Sequence, residues 1–127
     1  MTKLYHGIDL VDNARLEKIL QRHGDRFLQR VFTPSEQHYC RQHRRQSERW
    51  AGRFAVKEAV MKMLGTGWRD GIAWTDIETV NDPTGRPEVR LSGTTAEKAQ
   101  SMGIEQISVS ITHIRDLATA SVVALGK

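Results

Sequence analysis

The chain has one cysteine in 127 residues, Cys40, so no intrachain disulfide can form. No Cys/His spacing suits a structural zinc. Its three prolines and ten glycines form no linker or low-complexity tract, and no internal repeat is visible. No apolar run approaches the roughly 20 residues of a membrane span. Lys3, His6, Asp9 and Asp12 interrupt any apolar stretch at the start, so no secretory leader is expected. Aromatic residues make up 6% of the chain and form no stacking row. With no helix-turn-helix or RNA-binding signature, this argues against a nucleic-acid partner. These absences imply one cytoplasmic domain over residues 1–127, with one modest core and no membrane partner.

What is abundant is positive charge in one half. The net charge is +4, but residues 1–62 hold 13 lysines and arginines against 7 acids, whereas residues 63–127 hold 6 against 8. A basic N-terminal half points to an anionic partner, either an acidic protein or a polyphosphate.

Leu4 to Val11 reads as a strand, with Leu4, His6, Ile8 and Leu10 on one face and Tyr5, Gly7, Asp9 and Val11 on the other. Asp12 then caps a helix over about residues 13–23. Its stripe is Leu16, Ile19, Leu20 and His23, and Gly24 ends it. A short helical piece runs from Arg26 to Arg30. Thr33 or Ser35 opens another helix toward Arg44, and a long central helix spans about Ser47–Leu64. The glycine-rich stretch Gly65–Gly71 lacks the Gly-Lys-Ser/Thr of a Walker loop and is also readable as a helix C-cap. Two strands, about 75–80 and 88–91, flank a turn at residues 81–87. A helix opening at Ser92 or Thr94 runs to about Met102, and strands at about 106–113 and 117–125 form a final hairpin. The mixed order predicts an α+β fold, with a largely antiparallel sheet packed against the long central helix.

Three positions carry chemistry. Glu58 lies on a helix apolar on most sides, where a carboxylate needs a cation, a metal or a proton. A Glu58–Lys62 pair at i, i+4 would be the plain structural answer, and it is weak. Asp9 stands mid-strand beside a glycine, a poor place for aspartate unless it holds a ligand on rigid backbone. No structural cation for Asp9 is evident in the sequence. His113 ends the row Ile107, Val109, Ile111 on one strand face. Arg15, Lys18 and Arg22 recur on one face of the first helix, with Arg26 beyond its end; such a stripe is either a solvated face or a docking surface.

Together these segments resemble the short 4′-phosphopantetheinyl transferases, the holo-[acyl-carrier-protein] synthases. The resemblance rests on Gly7-Ile8-Asp9, Phe32-Thr33-Pro34-Ser35-Glu36, Ala51-Gly52-Arg53-Phe54-Ala55-Val56-Lys57-Glu58-Ala59, Gly65-Thr66-Gly67, Asp76-Ile77-Glu78, Gly85-Arg86-Pro87 and Val109-Ser110-Ile111-Thr112-His113. It implies a transfer of the 4′-phosphopantetheine arm of coenzyme A to a serine of apo acyl carrier protein, of the fatty-acid type. Adenosine 3′,5′-bisphosphate would leave.

The resemblance also implies that Asp9 and Glu58 hold Mg²⁺, an oxygen-seeking ion often bound by one or two carboxylates plus substrate phosphates. His113 joins them in a catalytic or phosphate-orienting role. Arg53, Lys57, Lys62, the Gly65-Thr66-Gly67 run and His113 fall at the coenzyme A site. Of the lysines, Lys62 is the better phosphate contact; Lys57 reaches a phosphate or runs out to solvent. Gly65 and Gly67 would let the backbone approach the nucleotide. The carrier protein would dock on Arg15, Lys18, Arg22 and Arg26, and three chains would assemble with active sites between neighbours. Either Glu58 or a metal-bound water accepts the serine proton. From the residues alone, a metal-dependent phosphodiesterase and a non-catalytic basic module remain competing readings.

Overall fold

The computed structural model describes residues 1–66 and 71–127. Strand β1 (Lys3–Asp12) leads into helix α1 (Asn13–Val31), which breaks at Gly24 with φ of 52°. Then come α2 (Pro34–Arg41), α3 (Gln46–Leu64), a 3₁₀ turn (Trp74–Asp76), β2 (Ile77–Asn81), β3 (Pro87–Leu91), α4 (Gly93–Ser101), β4 (Ile104–His113) and β5 (Leu117–Gly126). The strands form an antiparallel sheet ordered β1-β5-β4 and a separate β2-β3 hairpin. The α+β expectation therefore holds, with the antiparallel pairing divided between two sheets.

Local chemistry explains the element starts. The Asp12 carboxylate accepts from the Ala14 and Arg15 amides at 3.0 and 3.3 Å, satisfying orphan donors of α1. Thr33 and Glu36 form a reciprocal capping box at the head of α2, with Pro34 in its first turn. Asn13 ties α1 to the β4–β5 turn, donating to the Arg115 carbonyl at 2.9 Å. Leu16 is buried and Ile19 and Leu20 half-buried in α1, but His23, expected in that stripe, is exposed. It lies beside the Gly24 break, where the backbone leaves helical geometry.

Helix α3 is the spine. Trp50, Ala51, Ala55, Val56, Ala59, Val60, Met61, Met63 and Leu64 are all buried, so it is covered on nearly every side. It rests on the sheet through small residues. A Cβ on Gly7 would stand 1.9 Å from the Ala59 carbonyl oxygen, so only glycine lets β1 come this close. The glycine beside Asp9 thus makes room for α3. The opposite, outer row of β1 leaves Leu4, Ile8 and Leu10 exposed, joined by Leu117 and Leu125 of β5. An aromatic cluster (Phe27, Phe32, Phe54, Trp50 and Trp74) closes the other end. Beside it, the Cys40 thiol is wholly buried, and burial pushes its pKa up to about 12.

Candidate active site

Asp9 lies on the inner row of β1, between Gly7 and Val11, and faces α3. Lys62, one turn past Glu58, donates to the Asp9 carboxylate at 2.8 Å and to the Ile8 carbonyl at 3.2 Å. The cation that the sequence left unassigned to Asp9 is therefore Lys62, rather than Lys62 serving Glu58 alone. Glu58 is half-buried. Burial raises its carboxyl pKa above the ordinary range, the charge of Asp9 raises it further, and Lys62 opposes both. Asp9 holds this ammonium directly, and Glu58 feels the charge of both. That donor set fits a small divalent cation taking two protein oxygens and completing its shell with water and phosphate. Among the described residues no cluster of three or more histidine, cysteine or acidic side chains suits a metal.

Lys57 is not at this site. Its side chain is fully buried and paired with the equally buried Glu36 at 2.7 Å. It also donates to the Trp74 carbonyl at 3.1 Å and to the Ile77 carbonyl. Three acceptors require all three ammonium protons, so none is left for a phosphate. Burial pulls the Lys57 pKa down and the Glu36 carboxylate opposes that. The expectation that Lys57 contacts coenzyme A or runs out to solvent is corrected accordingly.

His113 is also apart. Asp9, Ala120 and Ile111 form one rung of the sheet, while Val11, Ala118 and His113 form another two residues along. Strand spacing then places His113 roughly 12 Å from Asp9. It lies instead 3.4 Å from the Glu48 carboxylate, ten residues or about 15 Å up α3 from Glu58. There it lines a cleft of about 160 Å³ with Arg49, Arg53, Asn81, Gly85 and Pro87. Arg53 is 4% exposed, stacks 3.7 Å over the Tyr39 ring and donates to the Asn81 side chain at 2.6 Å. Its Nε is buried without a partner, and burial lowers its pKa. The sequence reading missed Glu48 and Asn81, whose partners lie too far along the chain for any spacing rule. It also missed Glu36, although Thr33-x-x-Glu36 is itself a capping-box signature.

Gly65 caps α3 in the left-handed region, φ 74°, and a Cβ there would meet nothing within 4 Å. Its left-handed backbone is what the turn requires. Thr66 is buried, its hydroxyl has no partner among the described residues, and it lines a cleft with Ile72, Thr94 and Lys98. Gly67 lies outside the described residues. Arg15, Lys18, Arg22 and Arg26 are all exposed, and none has an acidic partner among the described residues. A larger groove of about 710 Å³ between the start of α1 and the α2–α3 connection touches neither Asp9 nor Glu58.

Residues 6–121 match the family model described as the 4′-phosphopantetheinyl transferase superfamily. A holo-[acyl-carrier-protein] synthase of Solibacter usitatus is 43% identical over 117 residues, covering 92% of this chain and 94% of the relative. That of Serratia proteamaculans is 42% identical over 126 residues, covering 99% and 100%. Among solved structures, the holo-[acyl-carrier-protein] synthase of Neisseria meningitidis superposes with a TM-score of 0.86 at 31% identity, covering 94% of this chain and 96% of that one. The Helicobacter pylori synthase in complex with coenzyme A gives 0.82 at 37%, covering 94% and 98%. With its carboxylate pair, its sheet order and this match over nearly its whole length, the chain belongs to the 4′-phosphopantetheinyl transferase superfamily.

Proposed function

We propose that this chain is a holo-[acyl-carrier-protein] synthase, transferring 4′-phosphopantetheine from coenzyme A to a serine hydroxyl of apo acyl carrier protein and releasing adenosine 3′,5′-bisphosphate. The observation that carries the reading is Asp9, ion-paired with Lys62 and near enough for its charge to raise the Glu58 carboxyl. It sits in a chain 42–43% identical, over 92–99% of its length, to synthases of that name.

Asp9 and Glu58 would hold a magnesium ion, which neutralises charge on the pyrophosphate and aligns the displacement. Lys62, on an exposed and flexible stem, turns from Asp9 to a phosphate oxygen. Glu58 would accept the proton of the attacking serine, directly or through a water. The oxygen of serine forms the new bond to phosphorus as the bond to the bisphosphate oxygen breaks.

The His113 cleft supplies Arg49, Arg53 and His113, which suit the nucleotide end of coenzyme A. It stands apart from the carboxylates within one chain, which supports a site completed between two copies. The exposed row Leu4, Ile8, Leu10 on β1 suits their association as a homotrimer. The setting is the cytoplasm.

The test is a mass spectrum of apo carrier protein incubated with coenzyme A and Mg²⁺. A gain of one phosphopantetheine on serine, abolished by Asp9→Ala and by Glu58→Ala, is expected. Hydrolysis of coenzyme A without an acceptor would refute it in favour of a phosphodiesterase. Sedimentation at the assay concentration checks the assembly: a monomer that turns over at full rate refutes the shared site.

A further inference from the structure

We propose that Lys57 is a positioning residue for this transfer: the buried Lys57–Glu36 pair fixes the rotation of α3 about its axis and thereby sets Glu58 against Asp9. The inference rests on the functional reading above. The two members of the pair come from α3 and α2 and have no exposed side-chain surface. Glu36 also accepts the Thr33 amide on one oxygen and the Thr79 amide on the other, each at 3.0 Å. Lys57 adds the Trp74 and Ile77 carbonyls. One ammonium thus ties α3 to α2, to the 3₁₀ turn and to β2, all on the side away from the three-stranded sheet.

On the sheet side the polar ties of α3 run through side chains partly open to solvent, Lys62 to Asp9 and Glu48 to His113, and hold its rotation less firmly than a fully buried pair. There α3 presents alanines and a glycine: Ala59 lies against Gly7, and Gly52 lies against Ile111. Small side chains allow close approach but interlock poorly, so a helix on such a surface resists lifting more than turning. Glu58 is the next residue after Lys57, about 100° around the axis. Its carboxylate stands roughly 6 Å from that axis, so a turn of about 10° moves it on the order of 1 Å. Displacements of that size cost up to about a hundredfold in rate when the moved group takes part in the chemistry.

Stability gives little reason for burying charge here. A buried ion pair can often be replaced by apolar residues of similar volume without loss, while removing one partner alone is costly. What the pair supplies is direction: its bonds have fixed donors and acceptors, which dispersion contacts lack.

The experiment compares Glu36→Gln, Lys57→Met and the doubly neutral Lys57→Met/Glu36→Met with wild type. Melting temperature, kcat, and KM for coenzyme A and for carrier protein are read for each. The expected result is a folded double variant whose kcat is at least tenfold down, with both KM values within twofold of wild type. A folded variant lacking the pair that keeps wild-type kcat overturns the proposal. So does a raised KM for coenzyme A at unchanged kcat, since that marks a direct ligand contact. Failure of all three variants to fold also overturns it, because the pair is then a requirement of the fold rather than a setting of the helix. Wild-type turnover in the same assay tests the functional reading separately, and only the ratios of the variants bear on Lys57.

Discussion

An alanine at position 7 adds one methyl group at the tightest contact between β1 and α3. That carbon would stand 1.9 Å from the Ala59 carbonyl oxygen, 2.8 Å from the Met63 nitrogen and 3.0 Å from the Ala59 carbonyl carbon. All three are backbone atoms of a helix buried on nearly every side, so no side-chain rotation relieves the clash. Ordinary contact begins near 3.4 Å, so the strand and the helix must separate by roughly 1.5 Å, at an overpacking cost of about 3 kcal/mol. For a chain of this size that is a fall in melting temperature on the order of 10 °C. The same displacement parts Asp9 on β1 from Glu58 and Lys62 on α3, which predicts a loss of about ten- to a hundredfold in kcat. Differential scanning calorimetry gives the first number and mass-spectrometric initial rates of holo carrier protein give the second. A Gly7→Ala protein that melts within about 2 °C of wild type and turns over normally would show that β1 and α3 are not held at this distance in solution.

Two further outcomes follow from the charges. Glu58 has a raised pKa in the folded metal-free protein, so the native state holds that proton more tightly than the unfolded chain. Its ionisation therefore costs stability above the native pKa, and the cost disappears as pH falls through that value to the ordinary 4.5. Glu58→Gln should accordingly melt higher than wild type at neutral pH without metal, with the advantage shrinking as pH falls. An advantage constant with pH would show that the shift is absent. On α1, Arg15→Glu with Arg26→Glu should raise the KM for carrier protein several-fold, leave that for coenzyme A unchanged, and flatten the salt dependence of the first. Kinetics at two ionic strengths, varying each substrate in turn, decide it; an unchanged KM for carrier protein at low salt makes the stripe a solvated face.

The parts of the site legible in sequence were those fixed by local rules. Asp12 caps α1 because an aspartate precedes a periodic helix. Asp9 and Glu58 stood out as carboxylates in apolar surroundings, and the charge of Asp9 reaches Glu58 across the strand–helix contact. Lys57 was misread because α3 is apolar around most of its girth, and the pattern cannot say which of its cations turns inward. Only its partner settles that, and Glu36 lies 21 residues away. His113 was placed with the carboxylates by family likeness, but strand register separates them. The outer row of β1 carries more large apolar side chains than the inner one, so hydropathy alone does not show that glycine and aspartate face the helix.

The lone thiol has a consequence for an enzyme whose substrate is itself a thiol. Disulfides of coenzyme A exchange with any accessible protein thiolate. Cys40 has no exposed surface and its pKa is about 12, so at neutral pH on the order of one molecule in a hundred thousand is ionised, and that one is out of reach. The chain has no other cysteine. It can therefore hold a reactive sulfhydryl in its grasp, turnover after turnover, without forming a mixed disulfide with it. A disulfide of coenzyme A likewise finds no thiolate on this protein that could capture it.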